Sequence, residues 1–117
     1  MDKQFTRAKS FDTFAPCGPW ITTKDEIDDP QNLKLLTKVN GTIRQNSTTS
    51  NMFIKIPSII SILSKSMTLE PGDIISTGTA AGVALNNPNI PYLKDGDLIE
   101  MEIEKLGSIT NTVKFVD

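Results

Sequence analysis

In 33-LKLLTKVNGTIRQ-45, two runs suited to strands flank the dipeptide Asn40-Gly41. Both turn residues tolerate positive φ, which makes Asn-Gly the strongest short-range signal for a tight hairpin. The spacing predicts antiparallel strands over 33–39 and 42–45.

Downstream, 46-NSTTSN-51 reads as a polar loop, and then the period changes. Ile56, Ile59, Ile60, Leu63 and Met67 recur at helical spacing, with Pro57 suited to a first turn. This predicts one amphipathic helix near 57–67, its apolar stripe in the core and its serines in water. Pro71-Gly72-Asp73 turns the chain into Ile74-Ile75-Ser76-Thr77, read as a short buried strand ending at Gly78-Thr79. A second Gly-Asp pair, Gly96-Asp97, introduces 98-LIEMEIEKL-106. Leu98, Glu100, Glu102 and Glu104 alternate there with Ile99, Met101 and Ile103, the pattern of an antiparallel strand wet on one face. Gly107 turns into a last strand over 109–115.

Upstream, 24-KDEIDDPQN-32 suggests one helical turn and a loop, and Trp20-Ile21-Thr22 a short strand. Residues 1–19 read as an irregular arm, because Pro16, Gly18 and Pro19 block regular structure. The expected architecture is mainly β, a rolled or sandwiched sheet with one helix.

Bulk properties narrow the function. The 117 residues carry a net charge of -2 with acids and bases interspersed, so no nucleic-acid footprint or polybasic membrane patch is present. The apolar run 56-IPSIISIL-63 is far short of the roughly 20 residues of a membrane helix. MDKQFTRAKS lacks the apolar centre of a signal peptide. The single cysteine, Cys17, forbids an internal disulfide, which fits a reducing cytoplasm. It reads as an inert small residue beside two prolines. With no histidine, Ser-His-Asp, Cys-His and histidine-metal chemistry are excluded within the chain.

Three constellations remain. Glu100, Glu102 and Glu104 offer hard oxygens on one side of a strand, as divalent ions prefer, but a solvated strand face has the same pattern and is commoner. In 77-TGTAAGV-83, small residues after a strand let backbone N–H groups approach a ligand, and a threonine hydroxyl adds a donor. A plain strand-end turn reads the same way. Lys9, in 8-AKSFDTFAPCGPW-20, is either a surface lysine whose stem lies on apolar neighbours or an ammonium placed to neutralise a developing enolate. Spacing does not choose between them.

Taken in order, KSFDTFAPCGPW, DPQNLKLLTKVNGTIRQNSTTSNM, LEPGDIISTGTAAGV and LKDGDLIEMEIEKLGSITNTV closely resemble the carboxy-terminal part of the fumarylacetoacetate hydrolase family, from about Gln4 to Val113. The resemblance implies that residues 1–117 are a portion of one catalytic domain of mixed β-roll type, incomplete without an upstream segment. Lys9 then matches the lysine that sits beside the metal and contacts substrate, followed by Ser10, Phe11 and Asp12. Thr77, Gly78 and Thr79 match the loop that binds the substrate carboxylate, with Ala80 where the family has proline. Mg²⁺ or Mn²⁺ is held in the family by a Glu-x-Glu pair and a later Asp that precede the lysine. Asp2, Glu100 and Glu102 match none of those positions, so no metal ligand and no ion is expected in this chain alone.

The implied activity is that of a cytoplasmic enzyme acting on 2-oxo or 2-enol acids. Acylpyruvate C–C hydrolysis, oxaloacetate-type decarboxylation and 2-hydroxyhepta-2,4-diene-1,7-dioate isomerisation all fit. The isolated chain is expected to be inactive. The alternatives are one subunit of a split enzyme and a non-catalytic β-module. Homo-oligomerisation, or association with the missing upstream segment, is expected.

Overall fold

The computed structural model describes residues 4–85 and 87–116. Asp2, weighed above as a metal ligand, lies outside them. The Asn-Gly hairpin forms as expected: β1 (Lys34–Val39) pairs antiparallel with β2 (Thr42–Thr48) across Asn40 at φ 50° and Gly41 at φ 76°. Strand β2 runs three residues into the segment read as polar loop, because Asn46, Ser47 and Thr48 pair with Leu36, Leu35 and Lys34. Polar side chains do not prevent pairing when a partner strand is in register. Thr49–Asn51 then makes one 3-10 turn, capped by the Thr48 hydroxyl, which accepts from the Ser50 N–H.

The second hairpin also forms, from β3 (Leu98–Ile103) and β4 (Gly107–Thr112). The two hairpins join through β1 and β3, giving the antiparallel order β2-β1-β3-β4. Side chains bracket this long-range pairing at both ends. At one end the Asn40 amide donates to Asp97 at 2.9 Å and accepts from the Leu98 N–H at 2.8 Å. At the other, Glu104 accepts from the Lys34 N–H at 3.1 Å while its own N–H donates to the Lys34 carbonyl.

The register sorts the two faces. Leu35, Thr37 and Val39 stand with Ile99, Met101 and Ile103 on one side; Lys38 faces Glu100, and Leu36 faces Glu102, on the other. That is the half-wet sheet the alternation predicts. Residues after Thr37 slip register: Thr37 faces Gln45 but Lys38 faces Ile43, so Arg44 is the extra residue of a β-bulge.

Outside the sheet, Lys24–Glu26 forms the expected single turn, as 3-10 helix. The arm contains one short helix, α1 (Phe5–Ala8), and otherwise turns. Two expected strands are absent. Trp20–Thr22 and Ile74–Thr77 have no ladder partner among the described residues, and Ile21 and Ile74 are 92% and 85% exposed. Branched side chains favour extended backbone, yet a strand needs a neighbour to take its hydrogen bonds. The Trp20 indole instead lies on the β3–β4 turn, where a Cβ added to Gly107 would fall 2.7 Å from its Cζ2.

Helix α2 (Ile56–Leu63) is shorter than the periodicity predicts. Pro57 sits in its first turn as expected, and the Gln31 side chain accepts from the Ile56 N–H at 2.6 Å, satisfying one orphan donor. Beyond Leu63 the Ser64 and Ser66 hydroxyls bond back to the carbonyls of Ser61 and Leu63, competing with continued helix. The apolar stripe is not core: no residue of α2 is buried, and Ile60 and Ile62 are exposed.

Among the described residues only Ile27, Leu33 and Val39 are buried apolar side chains. The surface, 9798 Å², is about half as much again as the roughly 6,300 Å² of a compact protein of this mass. The radius of gyration, 15.7 Å, likewise exceeds the expected value of about 13 Å. Large apolar side chains such as Phe53, Ile60 and Ile62 accordingly stay exposed.

Candidate functional site

The apolar face of the sheet is the floor of an open cavity of about 720 Å³, within the usual range for small-ligand sites of roughly 300–1,000 Å³. Leu35, Met101 and Ile103 supply its apolar floor, and Phe53, Ile54 and Ile59 an apolar wall. Thr77, Gly78, Thr79 and Ala80 form another wall, beside Thr37 and Gln45.

Local chemistry shapes the loop that carries this wall. Its entry is a turn in which the Asp73 carboxylate accepts from the Glu70 N–H at 2.8 Å, with Gly72 at φ 101°. The same device recurs before β3, where Asp97 accepts from the Lys94 N–H at 2.7 Å and Gly96 has φ 82°. That hydrogen bond first, then the one from Asn40, holds the Asp97 carboxyl below the ordinary aspartate value. Within the loop, Gly78 takes φ 97°, so Thr77 and Thr79 flank a backbone bend open to the cavity.

Two contacts fasten the loop to β2 at the bulge. The Gln45 amide nitrogen donates to Thr79 Oγ1 and to the Ala80 carbonyl, both at 2.8 Å. Its amide oxygen accepts from Thr37 Oγ1 at 3.0 Å. Gly82, at φ 113°, packs so closely that an added Cβ would fall 1.9 Å from the Arg44 carbonyl oxygen. Ala80, standing where the family resemblance expects proline, is thus held through its carbonyl.

The three loop residues singled out from sequence, Thr77, Gly78 and Thr79, are therefore together on one cavity wall. Lys9 is not on it. It follows α1 in the middle of the arm, where it is exposed, and its ammonium has no hydrogen-bond or ion-pair partner among the described residues. Gln45 and Thr37 were not singled out. The bulge that aims Gln45 at the loop leaves no mark in the residue pattern.

No group of three or more acidic, cysteine or histidine residues among those described could hold a metal ion. Glu100 faces Lys38 across the ladder, and Glu104 is engaged by the Lys34 backbone. The described residues do not make an ion site. No described helix is long and apolar enough to cross a membrane.

The family described as fumarylacetoacetate (FAA) hydrolase C-terminal matches residues 1–114. This chain belongs to the fumarylacetoacetate hydrolase family. Within it, the chain is 47% identical over 111 residues to the mitochondrial oxaloacetate tautomerase FAHD2A of Bos taurus, covering 95% of this chain and 35% of that protein. The solved structure of the fumarylacetoacetate hydrolase of Exiguobacterium antarcticum superposes with a TM-score of 0.91 at 44% identity, covering 97% of this chain and 40% of the other. The maleylpyruvate hydrolase of Sphingobium sp. SYK-6, in complex with manganese(II) and pyruvate, superposes with a TM-score of 0.80 at 40% identity, over 89% of this chain and 37% of that one. The mainly antiparallel sheet with short helices is thus the family's fold. The chain spans well under half the length of these relatives, whose names are those of enzymes.

Proposed function

We propose that this chain is the carboxy-terminal, carboxylate-binding portion of a divalent-metal-dependent enzyme of its family that acts on 2-oxo and 2-enol acids in the cytoplasm. One observation carries the reading: Thr79, on the cavity wall, has its hydroxyl and neighbouring backbone fastened in place by Gln45. A hydroxyl beside a glycine bend is suited to a substrate carboxylate. The oxaloacetate tautomerase and the pyruvate-bound maleylpyruvate hydrolase among its relatives support a 2-oxo acid, and the manganese in the latter supports a divalent ion. When bound, such an ion polarises the 2-oxo group. The residues of this chain would do the rest. The 77–79 loop takes the carboxylate. The Lys9 ammonium, which lies off the cavity wall in this chain alone, stabilises enolate charge once a further segment has brought the arm to the site, while a proton moves or a C–C bond breaks.

The chain alone is inactive in this reading. It acts with a further polypeptide segment that brings the ion's ligands, in one chain with it or as a separate subunit, and the active species is oligomeric. The test is turnover of oxaloacetate and an acylpyruvate with Mg²⁺, by the chain alone and mixed with the remaining part of the Exiguobacterium antarcticum relative. We expect no turnover above a Lys9→Ala control from the chain alone, and Lys9-dependent turnover from the mixture. Turnover by the chain unaided would overturn its dependence on another segment. A folded mixture, inert or indifferent to Lys9→Ala, would favour the non-catalytic module.

A further inference from the structure

We infer that Gln45 is a positioning residue that fixes the Thr79 hydroxyl as a donor and so tunes the loop for anionic oxygen; this rests on the carboxylate reading of the loop proposed above. The direction of every bond in the network follows from donor and acceptor capacity. The Ala80 carbonyl can only accept, so the Gln45 NH₂ must face the loop. The opposite end of the amide is then Oε1, which can only accept, so Thr37 Oγ1 donates to it. Gln45 Nε2 can only donate, so Thr79 Oγ1 accepts from it. Both amide protons are spent in this way.

A hydroxyl that accepts from Gln45 keeps its single proton for another partner. Among the described residues that proton has no acceptor, and Thr79 lines the cavity. The loop thus presents a donor whose polarity is set from behind, in a chain running Thr37 to Gln45 to Thr79. Aligned bonds of this kind strengthen one another. A carboxylate oxygen answers such a donor, whereas a cationic group does not. Fixing the loop beforehand also removes ordering cost when the ligand binds.

The arrangement depends on the bulge. In an unbroken ladder after Val39↔Thr42 and Lys38↔Ile43, Arg44 would face Thr37. The extra residue puts Gln45 there instead and sets it on the cavity side. A bulge that re-aims one side chain beside a ligand site is a built feature.

Two NMR measurements test this on the 117-residue chain in an Ile62→Lys, Met67→Lys background, which lessens association and lies outside the cavity lining, with Gln45 and Thr79 wild type unless stated. The first is hydrogen exchange. Both Gln45 side-chain protons should be protected; Thr79→Val should expose one of them; and Gln45→Met should speed exchange of the Gly78–Gly82 amides about tenfold, with β1 unchanged. Unprotected Gln45 protons, or loop exchange indifferent to Gln45→Met, overturn the proposal whatever the ligand does.

The second is titration with pyruvate to high concentration, with no divalent ion added and with acetone as the neutral control. Pyruvate should shift the Thr79 signals, acetone should not, and Gln45→Met should weaken the response about tenfold. Thr79→Val should do the same, and Thr79→Ser should restore it. A pyruvate response equal in wild type and Gln45→Met overturns the role of Gln45 while leaving the loop reading intact. No response even in wild type, with the amide protons protected, overturns the carboxylate reading and this role with it.

Discussion

Gly82 lies against the Arg44 carbonyl so tightly that a methyl group there would sit 1.9 Å from the oxygen. Backbone meets backbone at this point, and neither side can swing away as a side chain could. Gly82→Ala should therefore dislodge the loop, costing about 3 kcal/mol or more from the clash and the left-handed backbone together. Gly78→Ala meets open space at φ 97° and should cost only about 1–2 kcal/mol. Urea unfolding of the two variants checks the order; equal costs would show that the loop is not held at the bulge.

Asn40 does more than turn the hairpin. Its side chain and backbone make three hydrogen bonds to Asp97 and Leu98, joining the first hairpin to the second. Asn40→Gly keeps the positive φ and loses both side-chain bonds. We expect a loss of about 1–2 kcal/mol, read from the urea midpoint. A neutral outcome would mean that the β1–β3 pairing needs no such stitch.

Asp97 makes the same junction sensitive to acid. The Lys94 N–H and the Asn40 amide hold its carboxyl below the ordinary value near 3.8. The unfolded chain therefore binds the proton more tightly than the folded one. The contribution is complete above pH 3.8 and fades as pH falls through the lower folded value. Asp97→Asn should flatten this part of the stability–pH curve and leave the neutral region's slope unchanged. An unchanged acid limb would locate the sensitivity elsewhere.

Ile60 and Ile62 on α2, and Phe53 just before it, are exposed. Large exposed apolar patches drive association. The chain expressed alone should form oligomers or precipitate, and Ile62→Lys with Met67→Lys should shift sizing chromatography toward monomer. A monodisperse wild-type monomer would contradict this reading of the surface.

Fumarylacetoacetate hydrolase family membership was legible in four motifs, and both hairpins in their turn residues. Asn-Gly and Gly107 act through their own φ angles, and the alternation over 98–104 through the pleat, so neighbours in sequence suffice. Helix α2 was legible in position and wrong in burial, because periodicity states which side is apolar and never what lies against it. Ile74–Thr77 failed as a strand for the same reason: residues 74 and 75 prefer extended backbone, but a ladder partner must come from elsewhere.

From its residues alone the chain determined where it turns, which strand face is wet, and which loop, Thr77 to Thr79, carries donors. Tertiary structure decided that Gln45 rather than Arg44 faces Thr37, that Thr79 and Ala80 rest on it, and that Asn40 reaches Asp97. These contacts join residues more than thirty positions apart or hang on one extra residue in a ladder. Local preference cannot encode them, since they exist only once two strands have chosen a common register.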